Sequence, residues 1–192
     1  MTAPPALITA EALLTYPQPD GMRTELVRGR LVVREPAGVL HGEYAARIVI
    51  AIGSYLRSDR DARGAQETRG RVVTCDTGFT LARNPDTVRA PDVAYVSRER
   101  WDGPLPQGFG DFAPDIAVEI QSPSDRPGAV LAKVGEWLEA GSQLVWVIEP
   151  VRREVAVYRA DGSHERLNET ARIDGGTVLP GFSVSVAELF AA

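Results

Sequence analysis

The residues able to do chemistry in this chain gather between Pro91 and Gly141. Pro91-Asp92 opens one apolar run, Glu119-Ile120-Gln121 closes another, and Lys133 falls on a predicted helix. Two carboxylates on neighbouring buried strands, with a lysine leaning over them, are the parts that hold a hard divalent cation such as Mg²⁺ or Mn²⁺ and activate water against a phosphodiester. Side chains alternate across a strand, so Asp115, Ala117, Glu119 and Gln121 share one face, and Ile116, Val118 and Ile120 share the other. A half-exposed strand with a solvated face would show the same pattern. The following run, Leu144–Ile148, is almost wholly apolar, which favours a buried sheet, and buried carboxylates need a partner or a metal.

Lys133 stands beside an apolar helical stripe of Val130, Val134, Trp137 and Leu138, roughly 100° from its centre. Two readings follow. The lysine is exposed and paired with Glu136 at i+3, or its stem lies along the sheet and its ammonium reaches the strand ends. There it would orient the attacking water or offset charge developing on a phosphate. His41 and Glu43 sit near the start of an earlier helix. Glu43 is either a further acidic ligand or a carboxylate favoured by the helix dipole. Glu25 either faces the site or pairs with Arg28 or Arg30.

Other chemistries find no support. Two histidines far apart and one cysteine give neither a zinc cluster nor a Cys-His pair. There is no glycine-rich phosphate loop ahead of a helix and no Gly-x-Ser-x-Gly elbow.

The elements that must position these residues read as an α/β domain around a mixed sheet. A short helix is expected at Thr9–Leu14, with Thr9 as N-cap. A β-hairpin over Thr24–Val33 turns near Gly29, and an amphipathic helix runs from His41 to Leu56 with Tyr44, Ile48, Ala51, Ile52 and Tyr55 as its stripe. Arg57–Gly70 reads as a loop, and Arg71–Cys75 and Gly78–Ala82 read as a hairpin around Asp76-Thr77. Strands follow at Asp92–Val96 and Asp115–Gln121, separated by an irregular connection over Ser97–Phe112. Next come a helix over Arg126–Ala140 closed by Gly141, strands at Leu144–Ile148, Glu154–Arg159 and Glu165–Leu167, and a terminal helix at Val186–Phe190.

At 192 residues, with 44% hydrophobic and 24% charged, the chain suits one domain over 1–192, with residues 1–20 as an N-terminal extension. Cys75 is the sole cysteine, which excludes an internal disulfide and fits a reducing, cytoplasmic compartment. No basic segment followed by an apolar run suggests a signal peptide, and no run of 18 apolar residues suggests a membrane partner. A net charge of -5 argues against a broad basic footprint for nucleic acid. A bound metal would invert the sign locally.

At these residues the chain resembles the PD-(D/E)XK nuclease superfamily. More closely, it resembles its Uma-type branch of bacterial restriction-endonuclease-like proteins, long catalogued as a domain of unknown function. The resemblance rests on Thr24–Val32, His41, Arg89-Ala90-Pro91-Asp92-Val93, Pro114–Ile120 with Ser122-Pro123-Ser124, then Lys133, Trp137, Gly141, Val145–Pro150 and Leu179-Pro180-Gly181-Phe182. It implies a restriction-endonuclease-like mixed sheet flanked by helices, with Asp92 and Glu119 as metal ligands. The superfamily's usual lysine falls two residues after the glutamate, where this chain has Gln121. The resemblance carries that role to Lys133 on the next helix and leaves Gln121 to hold a water or a phosphate oxygen.

The expected function is therefore a Mg²⁺-dependent endonuclease acting on DNA. The alternatives are a catalytically weak or inactive binding or regulatory protein on the same scaffold, and a metal-dependent hydrolase of a small phosphorylated molecule. A homodimer would suit the cutting of two strands, with edge strands near Glu154–Arg159 as the pairing surface.

Overall fold

The computed structural model describes residues 6–17, 22–63, 69–74, 77–101, 103, 104 and 106–191. In chain order come α1 (Ala10–Leu14), β1 (Arg23–Val27), β2 (Arg30–Arg34), α2 (Val39–Arg63), β3 (Gly70–Thr74), β4 (Phe79–Ala82), β5 (Thr87–Arg89), β6 (Val93–Ser97), β7 (Ile116–Ile120) and α3 (Pro127–Glu139). After these come β8 (Leu144–Glu149), β9 (Glu154–Arg159), β10 (His164–Leu167), β11 (Arg172–Gly175), β12 (Leu179–Ser185) and α4 (Val186–Phe190). Among the described residues, no helix is long and apolar enough to cross a membrane.

The expected mixed sheet has six strands in the order β10-β9-β8-β7-β6-β3. Only β7 and β8 run parallel, and α3 makes the crossover between them. Strand alternation divides the core. Tyr95, Ile116, Val118, Ile120, Trp146 and Ile148 pack with the α2 stripe of Tyr44, Ile48, Ile52 and Leu56, and with Phe182 and Phe190 from the C-terminal segment. On the opposite face, Ala94, Ala117, Val145 and Val147 pack against Val134 and Trp137 of α3. The small residues of β6 and β7 on this face give α3 room to lie close to the sheet.

A second, four-stranded sheet has the order β2-β1-β5-β4. Its hairpin turns at Arg28 and Gly29, both with positive φ (50° and 74°), which is the backbone hand a two-residue hairpin requires. A Cβ on Gly29 would meet Leu7 Cβ at 2.8 Å, so the turn and the approach of the N-terminal segment both select glycine. Thr9 caps α1 by accepting the Ala12 N–H at 3.2 Å, and Ala10 and Leu13 pack on Leu26 and Val88.

Four expectations need correction. The helix begun near His41 does not end at Leu56 but runs to Arg63. The apolar stripe stops where the core stops, yet arginine and alanine continue a helix well in solvent, and Asp59 near its end holds Arg69 at 2.9 Å. Residues 64–68 of the expected loop lie outside the described residues. Secondly, β3 and β4 do not form a hairpin: β3 pairs with β6 and β4 with β5, so the chain changes sheets between them. Phe79 explains the change, because its buried ring packs edge-on to Trp137 and Phe112, at 6.3 and 5.8 Å between centroids. Pairing β4 on the edge of β3 would draw that ring out of its niche. Cys75 and Asp76 lie outside the described residues. Thirdly, the ending Leu179–Ser185, assigned no element from the sequence, is a strand paired with Arg172–Gly175. Finally, Glu154–Arg159 is not an edge strand, since β8 and β10 flank it on both sides.

Candidate active site

Asp92 precedes β6 but continues its ladder, since its N–H donates to Val118 O at 3.0 Å. Val93 lies opposite Val118, so the antiparallel register sets Asp92 opposite Glu119. The Asp92 carboxylate is also tied to β7: Oδ2 accepts the Ile120 N–H at 2.7 Å and lies 3.2 Å from His41 Nε2. His41 comes from the first turn of α2, which carries its imidazole across the strand ends.

Glu119 points to the α3 face and is 8% exposed. Each of its oxygens meets a donor from that helix: Lys133 Nζ reaches Oε2 at 2.7 Å and Trp137 Nε1 reaches Oε1 at 2.7 Å. The two donors stand at i and i+4, so one helical face delivers both. Lys133 therefore takes the second of its two readings. Glu136, its other candidate partner, is held by Arg89 Nε at 2.6 Å.

Glu25 faces the site rather than Arg28 or Arg30. Its Oε2 accepts from Arg89 Nη1 at 2.8 Å and Arg34 Nε at 3.3 Å, and its Oε1 accepts the Ala90 N–H at 3.1 Å and lies 3.4 Å from Lys133 Nζ. Gln121 continues β7 into the site wall, its N–H bonded to Ile148 O at 2.9 Å. Glu43 is not brought in: its side chain is 51% exposed and paired with Arg47 one turn along α2. Asp115, on the Glu119 face, sits at the other end of β7 and binds Ser97 N–H and Arg100 Nε, at 2.7 and 2.9 Å.

These groups open on a cavity of about 1230 Å³, walled by the β1–β2 hairpin, the start of α2 and the loop after Gln121. Asp92, Glu119, Lys133, His41, Glu25 and Gln121 all line it. Burial and the nearby Asp92 push the Glu119 carboxyl up to about 7, against the pull of Lys133. Burial draws Lys133 down, but Glu119, Glu25 and Asp92 outweigh it and hold the ammonium above its usual range. Burial would also raise Glu25, yet Lys133, Arg89 and Arg34 bring it to about 2. The hydrogen bond to Asp92 raises His41 against the effect of burial. Arg89 and Arg34 offset Glu25, which leaves the buried ammonium of Lys133 facing two carboxylates, Glu119 and Asp92, the second with His41 beside it.

Two carboxylates side by side suit a divalent cation. Among the described residues, no three His, Cys, Asp or Glu side chains converge as a ligand group. Two carboxylates with room beside them suit Mg²⁺, which keeps several waters and takes substrate phosphate oxygens, better than a metal wanting an all-protein cage.

A family model, Uma2, described as "Putative restriction endonuclease", matches residues 10–187. The chain belongs to the Uma2 family. Among solved structures, it is similar to that of "a putative nuclease belonging to DUF820" from Anabaena variabilis, at 23% identity and a TM-score of 0.77. The match covers 95% of this chain and 97% of the other, and establishes the shared fold. No curated protein matches. The Uma2 match spans the six-stranded and four-stranded sheets, the β11–β12 pair and every cavity-lining group named above.

Sequence reasoning left two participants of this Uma2 site without a role. Trp137 counted as a stripe residue and as part of the resemblance, although its i+4 spacing from Lys133 placed it on the same face. Arg89 entered only through the resemblance, and its bond to Glu25 joins strands 64 positions apart.

Proposed function

We propose that this Uma2-family chain is a Mg²⁺-dependent endonuclease that hydrolyses phosphodiester bonds in DNA. The observation that carries the reading is Lys133 Nζ at 2.7 Å from Glu119 Oε2, with Asp92 across the strand pair, at the wall of an open cavity. Asp92 and Glu119 would hold the cation. When bound, Mg²⁺ supplies Lewis acidity toward a phosphoryl oxygen and a water made more acidic.

The chain's own residues account for the rest. Lys133, held charged by its carboxylate neighbours, cannot take a proton from water. Its part is electrostatic: to orient the nucleophile and offset charge building on the phosphoryl oxygens. Trp137 fixes the Glu119 carboxylate by its indole N–H, so the ligand is positioned before the cation arrives. The Ile120 N–H does the same for Asp92. Gln121, where the wider superfamily carries its lysine, adds an amide able to hold a water or a phosphate oxygen.

The test is incubation of supercoiled plasmid with the pure protein and Mg²⁺ or Mn²⁺, beside Asp92→Ala and Lys133→Ala. Nicking by the parent and not by either variant supports the reading. A parent that binds Mn²⁺ yet leaves plasmid intact refutes the DNA endonuclease and favours a binding role on the same scaffold.

A further inference from the structure

Both oxygens of Glu119 are occupied by donors, and the two donors differ in freedom. Trp137 is 0% exposed and its ring abuts Phe79, so the indole N–H stays on Oε1. Lys133 brings a flexible four-carbon stem and a point charge to Oε2. A divalent cation taking Glu119 as a ligand meets that ammonium on the same oxygen, and like charges at such a separation repel strongly. The ammonium must leave Oε2 without leaving the site.

Two acceptors stand next to it. Glu25 Oε1 and Ala90 O each lie 3.4 Å from Lys133 Nζ, just beyond charged hydrogen-bond distance. Of the two, Glu25 carries charge, and it is held still: Arg89 and Arg34 bind Oε2, the Ala90 N–H binds Oε1, and Arg89 is braced in turn by Glu136.

We propose that Glu25 is a positioning residue that receives Lys133 when a cation takes Glu119, so that the β1–β2 hairpin keeps the lysine within the loaded site. This rests on the two-carboxylate metal reading above. Without Glu25, the carboxylates left around Lys133 among the described residues are Glu119 and Asp92, the two that would hold the cation, and the lysine competes with the cation for them. Glu25 thereby favours metal binding without touching the metal.

The test is a cycle of Mn²⁺ titrations by calorimetry on the parent, Glu25→Gln, Lys133→Met and the double variant. Each is first checked for the native circular-dichroism spectrum. Loss of such an outer partner typically weakens metal affinity by ~10-fold or more. The expected result is a loss of that size for Glu25→Gln in the parent and less than ~2-fold when Lys133 is already methionine. An equal loss in both backgrounds would make Glu25 a direct ligand or a purely structural residue and overturn the proposal, as would no loss in either. No Mn²⁺ binding by the parent would refute the metal reading itself, and the handover with it. A second measurement needs no variant: the ¹⁵Nζ resonance of Lys133 followed as Mg²⁺ is added. It should shift and persist. Its disappearance into solvent exchange would mean that the lysine is released rather than received.

Discussion

Trp137 Nε1 lies 2.7 Å from Glu119 Oε1, and the ring that makes this bond is fully buried. A tryptophan reached for its volume here also sets the rotamer of a carboxylate. Trp137→Phe keeps most of the packing against Phe79 and removes only the donor. Leaving a buried carboxylate oxygen short of a partner should lower stability by about 1–3 kcal/mol, read as a lower urea midpoint. Plasmid nicking and Mn²⁺ affinity should both fall.

Acid should weaken the fold through Glu25. Its folded pKa of about 2 lies below the ordinary value of 4.5, so its contribution is complete above pH 4.5 and is lost as pH falls toward 2. For a side chain this buried, that amounts to about 3 kcal/mol. Glu119 acts in the opposite sense: held up to about 7, it contributes most below pH 4.5 and loses that contribution as pH rises through 7. Urea midpoints from pH 2.5 to 8 should flatten on the acid side in Glu25→Gln. In Glu119→Gln the decline between pH 5 and 7 should flatten instead.

Glu43 provides the contrast. It sits two residues from His41 but points to solvent and pairs with Arg47. Glu43→Ala should leave plasmid nicking unchanged and alter stability by no more than ~0.5 kcal/mol. Asp92→Ala should reduce nicking by roughly 100-fold or more. Equal effects from the two would place the site elsewhere.

Asp115 should prove structural. Its carboxylate, buried at the far end of β7, accepts from Ser97 N, Arg100 Nε and Gln143 Nε2. Asp115→Ala removes the acceptor for all three and should cost about 2–4 kcal/mol. Mn²⁺ affinity should stay within ~2-fold of the parent when measured well below the melting temperature.

What could be read in advance was local. The face shared by Asp115, Ala117 and Glu119, the helix that carries Lys133, and the closing Gly141 all follow from periods of 2 and 3.6 within a few residues. The polar extension of α2 was missed because a stripe that ends marks the end of the core, not of the helix. The separation of β3 from β4 was hidden for a different reason. Neighbouring strands in sequence usually pair, and only the distant Trp137 and Phe112 show where Phe79 belongs. Glu25 remained ambiguous because Arg28 and Arg30, close to it in sequence, were candidate partners. The arginines that bind it are Arg34, on the facing strand, and, by the shorter bond, Arg89.

The bond from Ala90 N–H to Glu25 spans 65 positions, and Lys133 lies a further 43 beyond Ala90. Contacts of such separation carry the larger loop-closure cost. Pairing of β6 with β7 and the crossing of α3 bring Asp92, Glu119 and Lys133 together over short stretches of chain, whereas Glu25 joins them only when the N-terminal hairpin docks beside the six-stranded sheet. A chain whose hairpin has not docked would carry Asp92, Glu119 and Lys133 without the anchor for the lysine, so under the proposed function the complete site belongs to the finished fold alone.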